Sequence, residues 1–297
     1  MLSVDGCTLC PRRCGVNRKD KTGFCGCGAE VKIARAALHL WEEPCISGTR
    51  GSGTVFFSGC PLGCVYCQNA EISREGIGRA VSVQRLAEIF LELQAQGAHN
   101  INLVTATPWV PQVCEALNSV RPELRIPIVY NCGGYENIDT IRALTGYVDV
   151  YLPDIKYFSA ELAARYSSAP DYFEIASAAV REMIAQTGGL QYEEDGTLRR
   201  GVIVRHLVLP GTRRDSIAVL NWIAENLPRG GSLLSLMSQY TPTVHTKGYP
   251  EIHRRVTSLE YDSVVKEAVR LGLTEGYMQQ RGSASEAYIP PFNLQGV

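Results

Sequence analysis

From Thr54 onward, short runs of β-branched and aromatic residues alternate with longer stretches whose apolar residues recur at helical spacing. That alternation signals βα units and a parallel sheet, because a parallel strand is reached only through a crossover long enough to hold a helix. Strands are predicted over residues 55–58, 101–105, 126–130, 148–152, 202–209 and 233–237. Helices are predicted over 83–96, 110–120, 138–144, 172–186, 216–226 and 261–271, with Leu86, Ile89, Phe90 and Leu93 forming one stripe that Glu88 and Glu92 avoid. Six units are two short of a closed (β/α)8 barrel, and 297 residues suit one large α/β domain with an appendage. The expected fold is an α/β chain: a partial (β/α)6 barrel over residues 51–297 behind a small metal-binding module over residues 1–50.

No stretch approaches the roughly 18 consecutive apolar residues of a membrane span, and the start Met-Leu-Ser-Val-Asp-Gly-Cys lacks a charged segment followed by an apolar one. A cytoplasmic location is expected. The formal net charge of −1 gives no overall electrostatic case for nucleic acid or an anionic membrane, which leaves a small molecule or a protein segment as substrate. Eleven cysteines without a secretion signal argue for metal binding rather than disulfides, since reducing compartments keep thiols free.

Cys60, Cys64 and Cys67 stand at C-x3-C-x2-C spacing just after a short apolar β-like stretch. Iron–sulfur clusters normally take four cysteines, so a set of three leaves one iron open to an exchangeable ligand. Buried core cysteines are the plain alternative, but three within eight residues, separated by Pro61, Gly63 and Tyr66, are poor independent core positions. A zinc site would need a fourth ligand nearby, and the next histidine is His99. The run resembles the signature of the radical S-adenosylmethionine (SAM) enzymes, in which the amino and carboxylate groups of SAM chelate the open iron. Tyr66, before the last cysteine, fits that signature.

Cys7, Cys10, Cys14 and Cys25 form a second set, at C-x2-C-x3-C-x10-C, in a turn-rich stretch with almost no apolar periodicity. Such a segment needs a metal to fold. A second [4Fe–4S] cluster and a tetrahedral zinc both suit four such ligands, and the compact first three resemble ferredoxin-like spacing more than paired zinc knuckles. Cys27 can replace Cys25, and Cys45 has no assignment. Arg12, Arg13, Arg18, Lys19 and Lys21 make a locally basic segment, read as a solvated face or a dock for an acidic electron donor.

Reacting groups of a parallel barrel gather at the C-terminal ends of its strands. There the sequence has Thr105 and Thr107, suited to the SAM amino group; Asn131, before Gly133 and Gly134; and Asp154 with Lys156, an acid and a base on one strand face. Arg205 sits in an otherwise apolar run, able to hold a carboxylate bidentately or to pair with Asp154. Ser238, Gln239 and Tyr240 follow the last strand, with the phenol expected over the barrel mouth.

Cys7-x2-Cys10-Pro-Arg, Gly51-Ser-Gly-Thr-Val-Phe-Phe-Ser-Gly-Cys60, Tyr151-Leu-Pro-Asp-Ile-Lys-Tyr157, Arg205-His-Leu-Val-Leu-Pro-Gly211 and Met237-Ser-Gln-Tyr-Thr-Pro242 together resemble radical SAM homologues of the pyruvate formate-lyase activating enzyme. The resemblance implies a [4Fe–4S] cluster on Cys60, Cys64 and Cys67, SAM held through Asp154, Lys156 and Arg205, and an electron donor such as flavodoxin or ferredoxin. It implies cleavage of SAM to a 5′-deoxyadenosyl radical that takes hydrogen from a protein, peptide or small molecule. Two features depart from the activating enzyme: the N-terminal cysteines, and Ser238-Gln239-Tyr240 in place of its late histidine motif. Two rival readings stand beside this one. One is a radical SAM enzyme that modifies RNA gripped by the Arg12–Lys21 segment; the other is a non-catalytic iron–sulfur or zinc protein for electron transfer or partner binding.

Overall fold

The computed structural model describes residues 4–279 and 289–297. Its strands are β1 Val31–His39, β2 Ser52–Phe57, β3 Arg79–Val81, β4 Ile101–Val104, β5 Ile128–Cys132, β6 Val150–Pro153, β7 Gln191–Tyr192, β8 Leu198–Leu207, β9 Leu233–Met237 and β10 Gly276–Met278. They form one sheet in the order β10-β9-β8-β6-β5-β4-β2-β1-β3, with β7 paired to β8. From β2 to β10 every neighbour along that order is parallel, while β1 runs antiparallel to both β2 and β3. The sheet stays open, as expected of a partial barrel.

The crossovers carry α3 Val83–Ala95, α4 Val110–Val120, α5 Ile138–Ala143, α6 Ala160–Ser167, α7 Tyr172–Thr187, α8 Arg213–Asn226 and α9 Ser258–Arg270, with the short helices α1 Pro44–Ser47 and α2 Ala70–Ser73 before them. Local chemistry sets their starts. Ser82 accepts the Arg85 amide at 3.0 Å, and Thr257 and Glu260 form a reciprocal capping box ahead of α9. The apolar faces of α3, α4, α7, α8 and α9 bury against the outer face of the sheet.

Alternation along the strands layers the concave face. Val129, Leu152 and Ile203 pack with Cys45 and Ile46 of α1, which closes the barrel bottom. Two residues further along each strand the same face has Asn131, Asp154 and Arg205. Cys45, unassigned from sequence, is thus a core residue whose thiol burial pushes up to about 11.

Strands β1, β3, β7 and β10 and helices α1, α2 and α6 were not foreseen. The segment 31–39, inside the stretch read as the cysteine-rich module, is strand β1, paired with β2 from Ile33–Phe57 to His39–Ser52. Its buried positions follow an irregular pattern around a bulge near Arg35, so no clean period of two appears in the sequence. Helix α6 and strand β10 are short, eight and three residues. The C-terminal residues lie along β1: the Leu294 amide donates to the Ala34 carbonyl, the Ala36 amide to that of Gln295, and Phe292 meets Phe56 edge-on. Among the described residues no helix is long and apolar enough to cross a membrane.

Candidate active site

The second residue of the loop after β2 is a glycine that could hardly be anything else. Gly59 has φ +88°, and a Cβ there would lie 2.1 Å from Cys27 Sγ and 2.8 Å from the Cys25 carbonyl oxygen. The N-terminal segment therefore presses directly on the loop carrying Cys60, Cys64 and Cys67. That loop is tied down from two sides. The Val65 amide donates to the Tyr166 carbonyl at 2.8 Å, and Arg12 donates to the carbonyls of Pro61 and Ser168 at 2.9 and 2.6 Å.

Each of the three sulfurs has a hydrogen-bonding partner. The Leu62 amide reaches Cys60 Sγ at 3.4 Å, the Ser167 hydroxyl reaches Cys64 Sγ at 2.9 Å, and Ser73 Oγ lies 3.3 Å from Cys67 Sγ. Burial, with the neighbouring thiols, pushes Cys60 well above an ordinary thiol; burial also raises Cys64, opposed by the Lys156 ammonium. Such thiols give up their protons to a metal rather than to water. Three sulfurs with donors aimed at them, on one short loop, fit the three-cysteine set of a [4Fe–4S] cluster with one open iron. Among the described residues no three His, Cys, Asp or Glu side chains are drawn together as a finished metal-binding group.

Beside the loop, the polar layer of the barrel forms one connected row. Lys156 Nζ lies 2.5 Å from Asp154 Oδ2, Arg205 Nε lies 2.9 Å from Asp154 Oδ1, and Arg205 Nη2 donates to Asn131 Oδ1 at 2.5 Å. Burial disfavours the Asp154 charge, but Arg205 and Lys156 outweigh it and hold its carboxyl below the usual range. Lys156 loses hydration too, yet Asp154 and then Cys64 bring it to about 12. Gly134, at φ +79°, lets the end of β5 approach Asp154; a Cβ there would sit 2.1 Å from the Asp154 carbonyl oxygen.

A cleft of about 160 Å³ opens above the row, lined by Glu42, Gln68, Asn131, Arg205 and Gln239 among others. Glu42 is the residue the sequence reading missed. Its carboxylate accepts from Asn102 at 2.9 Å and from Asn131 at 3.4 Å, and lies 3.7 Å from Arg205 Nη1. Burial pushes its acidity toward neutrality against the pull of Arg205. The local signal was slight, since Glu42-Glu43 before Pro44 reads as an ordinary helix start.

The structure brings Asn131, Asp154, Lys156 and Arg205 together, with Thr105 at their edge donating to the Asn131 carbonyl at 3.3 Å. It does not bring Thr107 there. That hydroxyl is fully buried and donates to Glu136 at 2.7 Å. Tyr66 turns away from the cleft into a cluster of tyrosines, its hydroxyl 2.6 Å from that of Tyr157. Tyr240 is buried as well, bonded to the Ile252 carbonyl, and its neighbour Gln239 faces the cleft in its place. Cys7, Cys10, Cys14 and Cys25 all line one small cavity on the far side of Gly59.

Residues 54–188 match the family model described as "Radical SAM superfamily". Over 277 residues the chain is 31% identical to "Uncharacterized protein MJ0674" of Methanocaldococcus jannaschii, covering 90% of this chain and 75% of that one. Among solved structures, it is similar to the FeFe-hydrogenase maturase HydG from Carboxydothermus hydrogenoformans (13% identity, 80% of this chain, 56% of the other, TM-score 0.49). It is also similar to coproporphyrinogen III oxidase HemN from Escherichia coli (12% identity, 66% of this chain, 45% of the other, TM-score 0.45). Thus the chain spans about half the length of these solved proteins. With a three-cysteine loop at the mouth of an open parallel barrel, the matching model and the archaeal relative, this chain belongs to the radical SAM superfamily.

Proposed function

We propose that the protein abstracts hydrogen from a protein, peptide or small molecule in the manner of a glycyl-radical-enzyme activase, using a [4Fe–4S] cluster on Cys60, Cys64 and Cys67. When bound, that cluster supplies the electron that cleaves SAM to methionine and a 5′-deoxyadenosyl radical. The observation that carries this reading is the shared position of the cysteine loop and the Lys156–Asp154–Arg205 row at one end of the barrel, close enough for the Lys156 charge to act on Cys64.

Within this reading the chain's own residues bind and orient. Arg205, steadied by Asp154 and Asn131, offers its fork to the SAM carboxylate, a geometry lysine cannot match. Asp154 and Glu42 offer acceptors to cationic or hydroxyl groups of the cofactor or substrate. The aliphatic layer of Val129, Leu152 and Ile203 beneath keeps water from entering through the barrel floor. We assign the N-terminal cysteines Cys7, Cys10, Cys14 and Cys25 to a second metal centre, iron–sulfur or zinc, supported by the single cavity they share. A flavodoxin- or ferredoxin-like protein fits as electron donor.

The test is anaerobic reconstitution followed by dithionite and SAM, with chromatographic detection of 5′-deoxyadenosine. Wild type is expected to produce it and Cys64→Ala is not. Absence from wild type, or equal yield from the variant, overturns the proposal.

A further inference from the structure

Arg18 is a buried cation without an anion. It is 2% exposed, and among the described residues no carboxylate forms an ion pair with it. Two of its three nitrogens are used: Nε donates to the Gly28 carbonyl at 2.9 Å and Nη1 to that of Pro108. Nη2 is buried and has no partner. A permanently charged guanidinium left this way is costly unless something anionic meets it.

Its surroundings say what that anion is. Arg18 lines the same small cavity as Cys7, Cys10, Cys14 and Cys25. Its charge acts on Cys25 and Cys27. The guanidinium also stacks 4.6 Å above the Trp109 ring, which fixes its plane and leaves the free edge no other use. Four cysteine thiolates around a zinc ion or a [4Fe–4S] cluster make a dianion, and sulfur in either accepts N–H hydrogen bonds.

We propose that Arg18 is the built-in counter-cation of a four-thiolate metal centre on Cys7, Cys10, Cys14 and Cys25, donating Nη2–H to one of its sulfurs. The inference deepens the second-centre reading above and is independent of the radical chemistry. It also explains the build around the guanidinium. The indole beneath Arg18 donates through Nε1 to the Ser58 carbonyl at 3.0 Å, and Ser58 and Gly59 lead straight into Cys60. Cys27 Sγ lies 3.6 Å from that same carbonyl and feels the Cys60 thiol. The Cys25–Cys27 turn thus lies directly against the Ser58–Cys60 backbone that leads into the three-cysteine loop. Arg18 anchors this contact.

The experiment uses the full chain with Cys60, Cys64 and Cys67 all replaced by alanine, so that any metal it holds belongs to the N-terminal set. Iron, sulfide and zinc are counted after anaerobic reconstitution with iron and sulfide, and separately with zinc. One arm or the other is expected to give a stoichiometric centre, which a further Cys7→Ala/Cys10→Ala pair abolishes. In this background Arg18→Gln is expected to release the metal to a chelator about tenfold faster, the usual scale for losing a partner that supports the ligands. Arg18→Lys, which keeps the charge but not the stacked fork, should fall between the two. Circular dichroism and the thermal unfolding midpoint check folding. If Arg18→Gln does not fold, Arg18→Lys decides alone. Absence of any centre in the triple variant, or release from the Arg18 variants at the unaltered rate, overturns the inference. Formation of 5′-deoxyadenosine by a protein with intact Cys60, Cys64 and Cys67 reads the radical function separately.

Discussion

Arg205 on β8 and Glu42 in the loop after β1 meet at 3.7 Å in the barrel mouth, and Asn131 bonds to both. One cation thus serves two acids, Glu42 after β1 and Asp154 after β6. Arg205→Ala leaves both acids short of charge in a largely dry site. We expect a stability loss of about 3 kcal/mol in urea denaturation, together with loss of SAM binding in equilibrium dialysis. Arg205→Lys should recover most of the stability but little of the binding, because an ammonium cannot reproduce the two-pronged contact.

The hydroxyl of Ser167 at Cys64 Sγ is held in turn by Tyr157, whose own hydroxyl is 2.8 Å away and 2.6 Å from that of Tyr66. Hydrogen bonds to cluster sulfurs favour the reduced state. Ser167→Ala should therefore lower the reduction potential of the reconstituted Cys60–Cys64–Cys67 cluster by tens of millivolts in a potentiometric EPR titration. Ser167→Thr should restore it. An unchanged potential in the alanine variant would show that the bond does not reach the cluster.

Glu136 makes stability depend on pH. Burial raises its carboxyl from 4.5 to about 7, against the help of Thr107 and Tyr130 hydrogen bonds. In the folded state it keeps its proton where the unfolded chain has lost it. Its contribution is fully present below pH 4.5 and disappears as pH rises through about 7, a change on the order of 3 kcal/mol. Denaturation of the metal-free protein at pH 5 and pH 7.5 should show this slope, and Glu136→Gln should flatten it.

Gly59→Ala adds a methyl group where Cys27 Sγ and the Cys25 carbonyl already stand, in a backbone region that L-residues rarely adopt. A destabilisation of at least about 2 kcal/mol is expected, read as a lower thermal midpoint. Adding Cys27→Ala should return part of it by removing the sulfur. No return would mean the backbone conformation alone is responsible.

Six of the seven parallel strands were readable because strands buried on both faces are runs of β-branched and aromatic residues, and the helices between them have one apolar stripe. The same period of two that identifies a strand also puts Asp154 and Lys156, and Ile203 and Arg205, on a common face. β1 escaped this reading because a bulge breaks its alternation and cysteines crowd the sequence before it. Thr107, Tyr66 and Tyr240 sit at the expected chain positions, but their rotation about the strand ends depends on partners distant in sequence: Glu136, Tyr157 and Ile252.

Sequence by itself was enough for the open α/β barrel, the three-cysteine loop and the Asp154, Lys156 and Arg205 positions, because each rests on local spacing and strand period. Only the tertiary structure decided that Glu42 joins the row and that Arg18 stands unpaired beside four cysteines. It alone revealed that Gly59 leaves no room for a side chain against Cys27 Sγ and the Cys25 carbonyl. Burial and charge pairing arise between segments far apart in the chain, and no pattern within one segment records them.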